Sequence, residues 1–299
     1  MKRLLLILTI FVMLSIILVS CKSDVSQESE IASSQSRVIE GLLGRYYDTE
    51  QRIRITDCGE YITLDYLENP DADFVLPTVF ANGMKINSVS NQAFSGNKDI
   101  IKLTVPDGYK YIDSFAFMDC SNLETVTLGK DVYDIGEMAF AGCYNIKEII
   151  VSEQNPNLYA KNNAIIDKHE NKVLFSTSYL PQNATAVYHS AFRKNKNIND
   201  VILPDTVSLL GSYCFSDSSL KSVVLSAGLL EIKTHAFQNT ELTDIYIPEC
   251  VEKIESAVFY GIDGITINCE STSKPDGWDD KWLDGCTNYT INWGVTREE

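Results

Sequence analysis

Phenylalanine recurs along the chain at a spacing that a single compact unit does not produce: Phe94, Phe117, Phe140, Phe192, Phe215, Phe237 and Phe259, in steps of 23, 23, 52, 23, 22 and 22 residues. The residue before each is small or short, namely Ala93, Ala116, Ala139, Ala191, Cys214, Ala236 and Val258. Five residues before each stands an aliphatic: Val89, Ile112, Ile135, Val187, Leu210, Ile232 and Ile254. After the Phe, an aliphatic pair spaced by two closes the unit, as in Val126/Leu128, Ile149/Val151, Val201/Leu203, Val223/Leu225 and Ile245/Ile247. Spacing by two is the period of a strand. Pro106, Pro204 and Pro248 then stop that strand by withholding an N–H from the ladder. A unit of 22 or 23 residues with two short extended pieces cannot bury its own apolar side, so neighbouring units must stack over one core. The pattern predicts a β-rich solenoid with short strands in each coil, short helical or 3-10 turns between them, a Phe spine, an Ala column and two aliphatic columns. Cys120 and Cys143, at equal offsets from Phe117 and Phe140, belong to adjacent coils with parallel side-chain vectors, which suits buried thiols better than a disulfide.

The segment from Val132 to Val151, with Ile135-Gly136, Ala139-Phe140, Cys143 and Ile149-Ile150-Val151, resembles the BspA-like (Treponema-type) leucine-rich repeat. Its recurring pattern is Ile-Gly-x-x-Ala-Phe-x-x-Cys-x-x-Leu-x-x-Ile-x-Leu-Pro. The resemblance runs from Phe74 to Cys269, with Asp57 to Tyr66 as an opening cap. It implies a leucine-rich-repeat solenoid that works without catalysis, by recognition or adhesion at a bacterial surface. The chain departs from the pattern in three places. The 52-residue step holds Asn155 to Tyr159 and Asn163 to Lys168, read as a variant coil closed by Val173/Phe175 that bulges without breaking the core. Cys214 and Val258 replace Ala, and Asn268 and Cys269 stand where the last strand ends.

Met1 to Ser20 opens with Lys2 and Arg3 and continues as an uncharged apolar run from Leu4 to Val19, the layout of a secretory signal. It closes in Leu18-Val19-Ser20-Cys21, which resembles the bacterial lipobox and implies a lipid-modified Cys21 at the mature N-terminus. Acyl chains bind membrane at about 0.8 kcal/mol per buried CH₂, so a lipidated Cys21 anchors the protein without a span. Lys22 to Ser36, rich in Ser and lacking aromatics, has too little to bury and reads as a tether. The boundaries expected are a signal peptide over 1–20, lipidated Cys and flexible tether over 21–50, solenoid over 51–270 and a Trp-rich cap over 271–299. The expected location is the bacterial cell envelope, lipid-anchored and either surface-exposed or periplasm-facing.

Net charge is -16 over 299 residues, and the loss of Lys2 and Arg3 with the leader makes it more acidic, which argues against a nucleic-acid partner. The chain lacks G-x-S-x-G, G-x-G-x-x-G, P-loop, H-E-x-x-H, C-x-x-C and EF-hand motifs, and His169, His189 and His235 are scattered singly. No enzyme, cofactor, metal or small-molecule substrate is therefore expected, and Asp276, Asp279, Asp280 and Asp284 read as a solvated acidic loop. The residue between the two inward aliphatics of each closing strand must point outward. That column includes Ile150, Leu174, Ile202, Val224 and Tyr246, an apolar stripe rimmed by charge and the candidate protein-binding face; strand propensity alone accounts for it equally well. The expected partner is a host or neighbouring-cell surface or matrix protein. The alternatives are a glycan-binding module using Trp278 and Trp282, and an envelope spacer without a specific ligand. Because Trp278, Trp282 and Trp293 all fall at the end of the chain, a plug on the open core explains them as well. Seven cysteines follow Cys21, of which Cys269 and Cys286 are the pair whose bridge would close that end.

Overall fold

The structure is a computed structural model that describes residues 38–40 and 44–296. The leader, Cys21 and most of the tether lie outside the described residues. No helix among the described residues is long and apolar enough to cross a membrane.

The repeat folds as the periodicity predicts, into a solenoid with two ladders of parallel strands. The aliphatics five residues before each Phe form the shorter ladder. Ser88–Val89, Tyr111–Ile112 and Asp134–Ile135 pair in register, and Ala186–Val187, Leu209–Leu210, Glu231–Ile232 and Lys253–Ile254 do so further along. The closing strands form the second ladder. Asp73–Val75, Lys102–Val105, Thr125–Leu128 and Glu148–Val151 make one sheet. Asp200–Ile202 pairs with Ser222–Val224, and Asp244–Ile247, Thr266–Cys269 and Thr290–Trp293 make a third group.

Between the ladders the Phe rings stack. Phe94, Phe117 and Phe140 are spaced by 5.3 and 5.6 Å, with ring planes within 6° of each other. Phe192, Phe215, Phe237 and Phe259 follow at 5.2, 5.8 and 5.6 Å. Where one repeat follows directly on another, the Phe N–H reaches across to the residue before the next Phe, as Phe117 does to Ala139 O (2.9 Å) and Phe215 to Ala236 O (2.9 Å). That close backbone approach is why the position before Phe is small.

Among the described residues there is neither an α-helix nor a 3-10 segment, so the expected helical turns are absent. The reason lies on either side of the Phe. Two residues before it, Gln92, Phe115, Met138, Ser190, Tyr213, His235 and Ala257 all have φ between 55° and 61°. Two residues after it, Gly96, Asp119, Gly142, Lys194, Asp217, Asn239 and Gly261 are also left-handed. A right-handed run cannot build through such positions. Single turns with inter-coil hydrogen bonds replace it, as Phe115 N–H to Glu137 O (3.0 Å) and Asp119 N–H to Ala141 O (2.7 Å).

The insertion departs from its sequence reading. Leu158–Lys161, Ala164–Asp167 and Lys172–Ser176 form an antiparallel meander. Its last strand pairs with Ala186–Val187 through Lys172 and Val173. Val173 therefore takes the place of a short-ladder aliphatic, and Phe175 packs against Phe140 (5.8 Å, tilted by 54°) in the Phe column. The strand does not close a coil. The core responds by dividing into two buried clusters, one reaching from Ile53 to Phe175 and the other from Ala164 to Cys286. The expectation of one unbroken core is thus corrected: Ile165 faces the first cluster, while Ala164 and Ile166 face the second. Polar ties cross this seam, including Lys194 Nζ to Asp119 Oδ2 (2.7 Å) and Asn197 Nδ2–H to Tyr144 O (2.6 Å).

At the N-terminal end, Val38–Glu40, Arg45–Asp48, Ile53–Asp57 and Ile62–Leu67 form an antiparallel cap joined to the short ladder. Strands therefore occupy part of the stretch expected to be tether. Tyr46 packs against Phe80 (6.5 Å), and buried Asp48 accepts Glu50 N–H and Gln51 N–H at 2.9 and 3.0 Å to hold the turn.

Candidate functional site

The outward column of the closing strands is real but discontinuous. In the first sheet it reads Val75, Thr104, Thr127 and Ile150 in register, with Val75 57% and Ile150 43% exposed. Ile202 pairs with Val224 and is 73% exposed, the highest value among the exposed large apolar side chains. Tyr246 leads the last group, followed by Asn268 and Asn292, whose side-chain amides bond to each other at 2.8 Å. Leu174 does not belong to this column. It sits on the strand that joined the short ladder, half-buried against the first core cluster. No strand pairing joins Glu148–Val151 to Asp200–Ile202. The five-rung stripe is therefore corrected to two apolar patches, Ile150 on one side of the insertion and Ile202 with Val224 on the other. Ion pairs border them: Lys147–Glu124 (2.7 Å) beside the first, and Lys221–Glu241 (3.7 Å) beside the second.

Trp278 and Trp282 lie inside. They are 2% and 4% exposed, the Trp278 indole N–H donates to Val251 O (2.9 Å), and Trp282 meets Phe259 edge-on at 6.0 Å. Trp282 stands 23 residues after Phe259, so it is the next rung of the Phe column, and Trp278 bridges to Ile254 as the next rung of the short ladder. That spacing was available in the sequence. Neither ring offers an exposed face on which a sugar could stack, so the glycan alternative has no platform at these two residues.

The seven cysteines from Cys58 to Cys286 are free thiols in the structure, Cys269 and Cys286 included. Cys120 and Cys143 each donate Sγ–H to a backbone oxygen of the preceding coil, Phe94 O (3.1 Å) and Phe117 O (3.0 Å). Burial pushes the Cys143 and Cys214 thiols up, and Cys269 to about 12, so these sulfurs stay protonated packing groups.

In the acidic loop, Asp280 pairs with Lys274 (2.5 Å) and Asp279 accepts Lys281 N–H (2.7 Å). Among the described residues no three His, Cys, Asp or Glu side chains are grouped to hold a metal. His189 Nδ1 accepts Ser212 N–H (3.0 Å), and His235 stacks on Tyr213 at 4.8 Å. Burial, with the nearby Arg193 charge, holds the His235 imidazole below its ordinary value.

The BspA type Leucine rich repeat region matches this chain in six copies over residues 78–167 and 164–288. No curated protein matches it. Among solved structures, a leucine rich cell surface protein from Faecalibacterium prausnitzii is 21% identical, with a TM-score of 0.43 over 83% of this chain and 58% of that one. The chain thus spans less than two thirds of that protein. A leucine-rich repeat protein from Eubacterium ventriosum is 18% identical (TM-score 0.44; 81% of this chain, 76% of that one). The leucine-rich repeat protein of T. pallidum is 19% identical (TM-score 0.39; 63% and 75%).

Proposed function

Because the chain belongs to the BspA-type leucine-rich repeat family, we propose that it is a non-enzymatic lipoprotein of the bacterial envelope, tethered through Cys21, whose solenoid recognises a surface or matrix protein of a host or neighbouring cell. The observation that carries the recognition surface is Ile202. A side chain of that size left 73% exposed on a regular strand, paired with Val224 and bordered by charge, has the make-up of a contact patch. The lipobox and the uncharged apolar run before it support the anchor.

The test is a binding screen of the chain against purified matrix proteins and polysaccharides, run beside Ile202→Glu. At least one protein should bind wild type and lose about tenfold or more in affinity when a charge is placed in the patch. Unaltered affinity for every bound protein in a folded Ile202→Glu variant overturns this reading of the surface.

A further inference from the structure

The outer face of the N-terminal cap carries a trough that the repeat reading does not use. Strand register builds it. Arg45 opposes Thr56, Thr56 opposes Thr63, and Thr63 opposes Ser88 in one row across the sheet. Ile55 and Leu64 are fully buried, so Thr56 and Thr63 turn outward by alternation. These short side chains, with Ser90, make a floor. Longer residues stand above it, Arg45 and Arg54 on the strands to one side and Asn91 and Asp113 on the loops to the other. The trough is open to solvent and has a volume of about 430 Å³, within the range of small-ligand sites.

The polar groups are arranged as acceptors and donors. Asp65 accepts both floor hydroxyls, Thr56 Oγ1–H at 2.6 Å and Thr63 Oγ1–H at 2.9 Å. With its proton directed to Asp65, the half-buried Thr56 hydroxyl has its lone pairs left to face a ligand hydroxyl, while Thr63, buried and also 3.3 Å from Thr56 O, seals the base of the trough. Asn91 gives one Nδ2–H to Ser114 O (2.9 Å), which fixes the amide and leaves its Oδ1 available as an acceptor. Arg45 is exposed and supplies donors, while Arg54 lies beside Asp65 (3.9 Å) and over the Tyr66 ring (5.7 Å). Tyr61 closes one end, its ring braced by Tyr111 at 5.2 Å.

Three ligand classes are disfavoured by this lining. The carboxylates of Asp65 and Asp113 cancel the two guanidinium charges, which disfavours a phosphate or sulfate. No aliphatic side chain lines the trough, which disfavours an apolar peptide anchor. The described residues group no metal ligands there. Hydroxyls meeting alternating donors and acceptors, with one aromatic face for a C–H-rich surface, remain. We propose that this trough is a binding site for a neutral saccharide, separate from the protein-contact patch at Ile202 and from the buried tryptophans.

The test is a neutral and acidic oligosaccharide array probed with the full chain, followed by titration of the bound sugar against Arg45→Ala, Tyr61→Ala and Tyr61→Phe. Cys58, the exposed thiol at the trough, gives a second readout through its alkylation rate, followed peptide by peptide. The expected result is binding of a neutral sugar that slows Cys58 alkylation. Affinity should fall about tenfold in Arg45→Ala and Tyr61→Ala, stay near wild type in Tyr61→Phe, and all three variants should melt as wild type does. Absence of neutral-sugar binding, preference for sulfated or sialylated sugars, or binding undiminished in both alanine variants overturns the proposal. Ile202→Glu serves as the control: it should leave sugar binding intact, so loss of protein recognition and loss of the saccharide site are separable.

Discussion

Phe215→Ala probes the Phe column where it is most regular. The ring is fully buried, with Phe192 5.2 Å away on one side and Phe237 5.8 Å away and within 3° of parallel on the other. Truncation removes the transfer free energy of the ring and leaves a cavity, together about 3 to 5 kcal/mol for a buried Phe. Two stacked contacts are lost at once, and the flanking coils cannot collapse because inter-coil hydrogen bonds fix their separation, so the upper half of that range is expected. For a chain of this length each kcal/mol moves the midpoint by roughly 2–4 °C, giving a drop of about 10 °C or more. Because coils contact only their neighbours and the core is divided at Phe175, lost hydrogen-exchange protection should be concentrated after Ala164, with Phe94 and Phe117 amides little changed. Urea denaturation and exchange mass spectrometry read both quantities. A loss under about 1 kcal/mol would mean the column is not close-packed, and equal deprotection of both clusters would mean that they unfold as one.

Two further outcomes follow from named contacts and a third from the lipobox. Glu231 and Glu255 share Lys233 and Lys253; burial pushes both carboxyls up, but hydrogen bonds from Lys233 (2.7 and 3.0 Å) outweigh it and leave them below the ordinary value. Their contribution is therefore present above the unfolded carboxyl value and is lost as pH falls below about 4; Glu255→Gln should lower neutral-pH stability by no more than about 1 kcal/mol and flatten the acid limb, as read by urea midpoints against pH. Trp278→Phe leaves Val251 O without its indole donor and should cost about 1 to 3 kcal/mol, measurable in the same denaturation assay. Cys21→Ala should abolish incorporation of labelled lipid and release the protein from the membrane fraction; unchanged labelling would refute the anchor.

What could be read in the sequence was whatever burial alone dictates. Val89, Ile112 and Ile135 fall in register because each must face one core, and Phe117 and Phe140 stack because equal spacing puts them on equal positions. Lys172–Ser176 escaped because Val173 and Phe175 alternate inward on either ladder; the choice rests on pairing with Ala186–Val187, which alternation does not encode. Met138, Tyr213 and His235 are not residue types that announce a positive φ, so the left-handed columns that exclude helices were illegible. The trough was hidden for a third reason: Arg45, Thr56, Thr63 and Ser90 become neighbours only through strand register in the cap. Trp282, by contrast, could have been placed by counting 23 residues from Phe259.

The exposed face of the closing strands is proposed to meet a protein partner. Site-specific photocrosslinking tests it on cells carrying the protein, with a photoreactive residue in place of Ile202 and, as the comparison, in place of Tyr133, an exposed residue beside the short ladder. A discrete crosslinked protein from position 202 that is absent from position 133 is the predicted result. Equal labelling from both positions, or none from 202 in the presence of matrix or neighbouring cells, would contradict it.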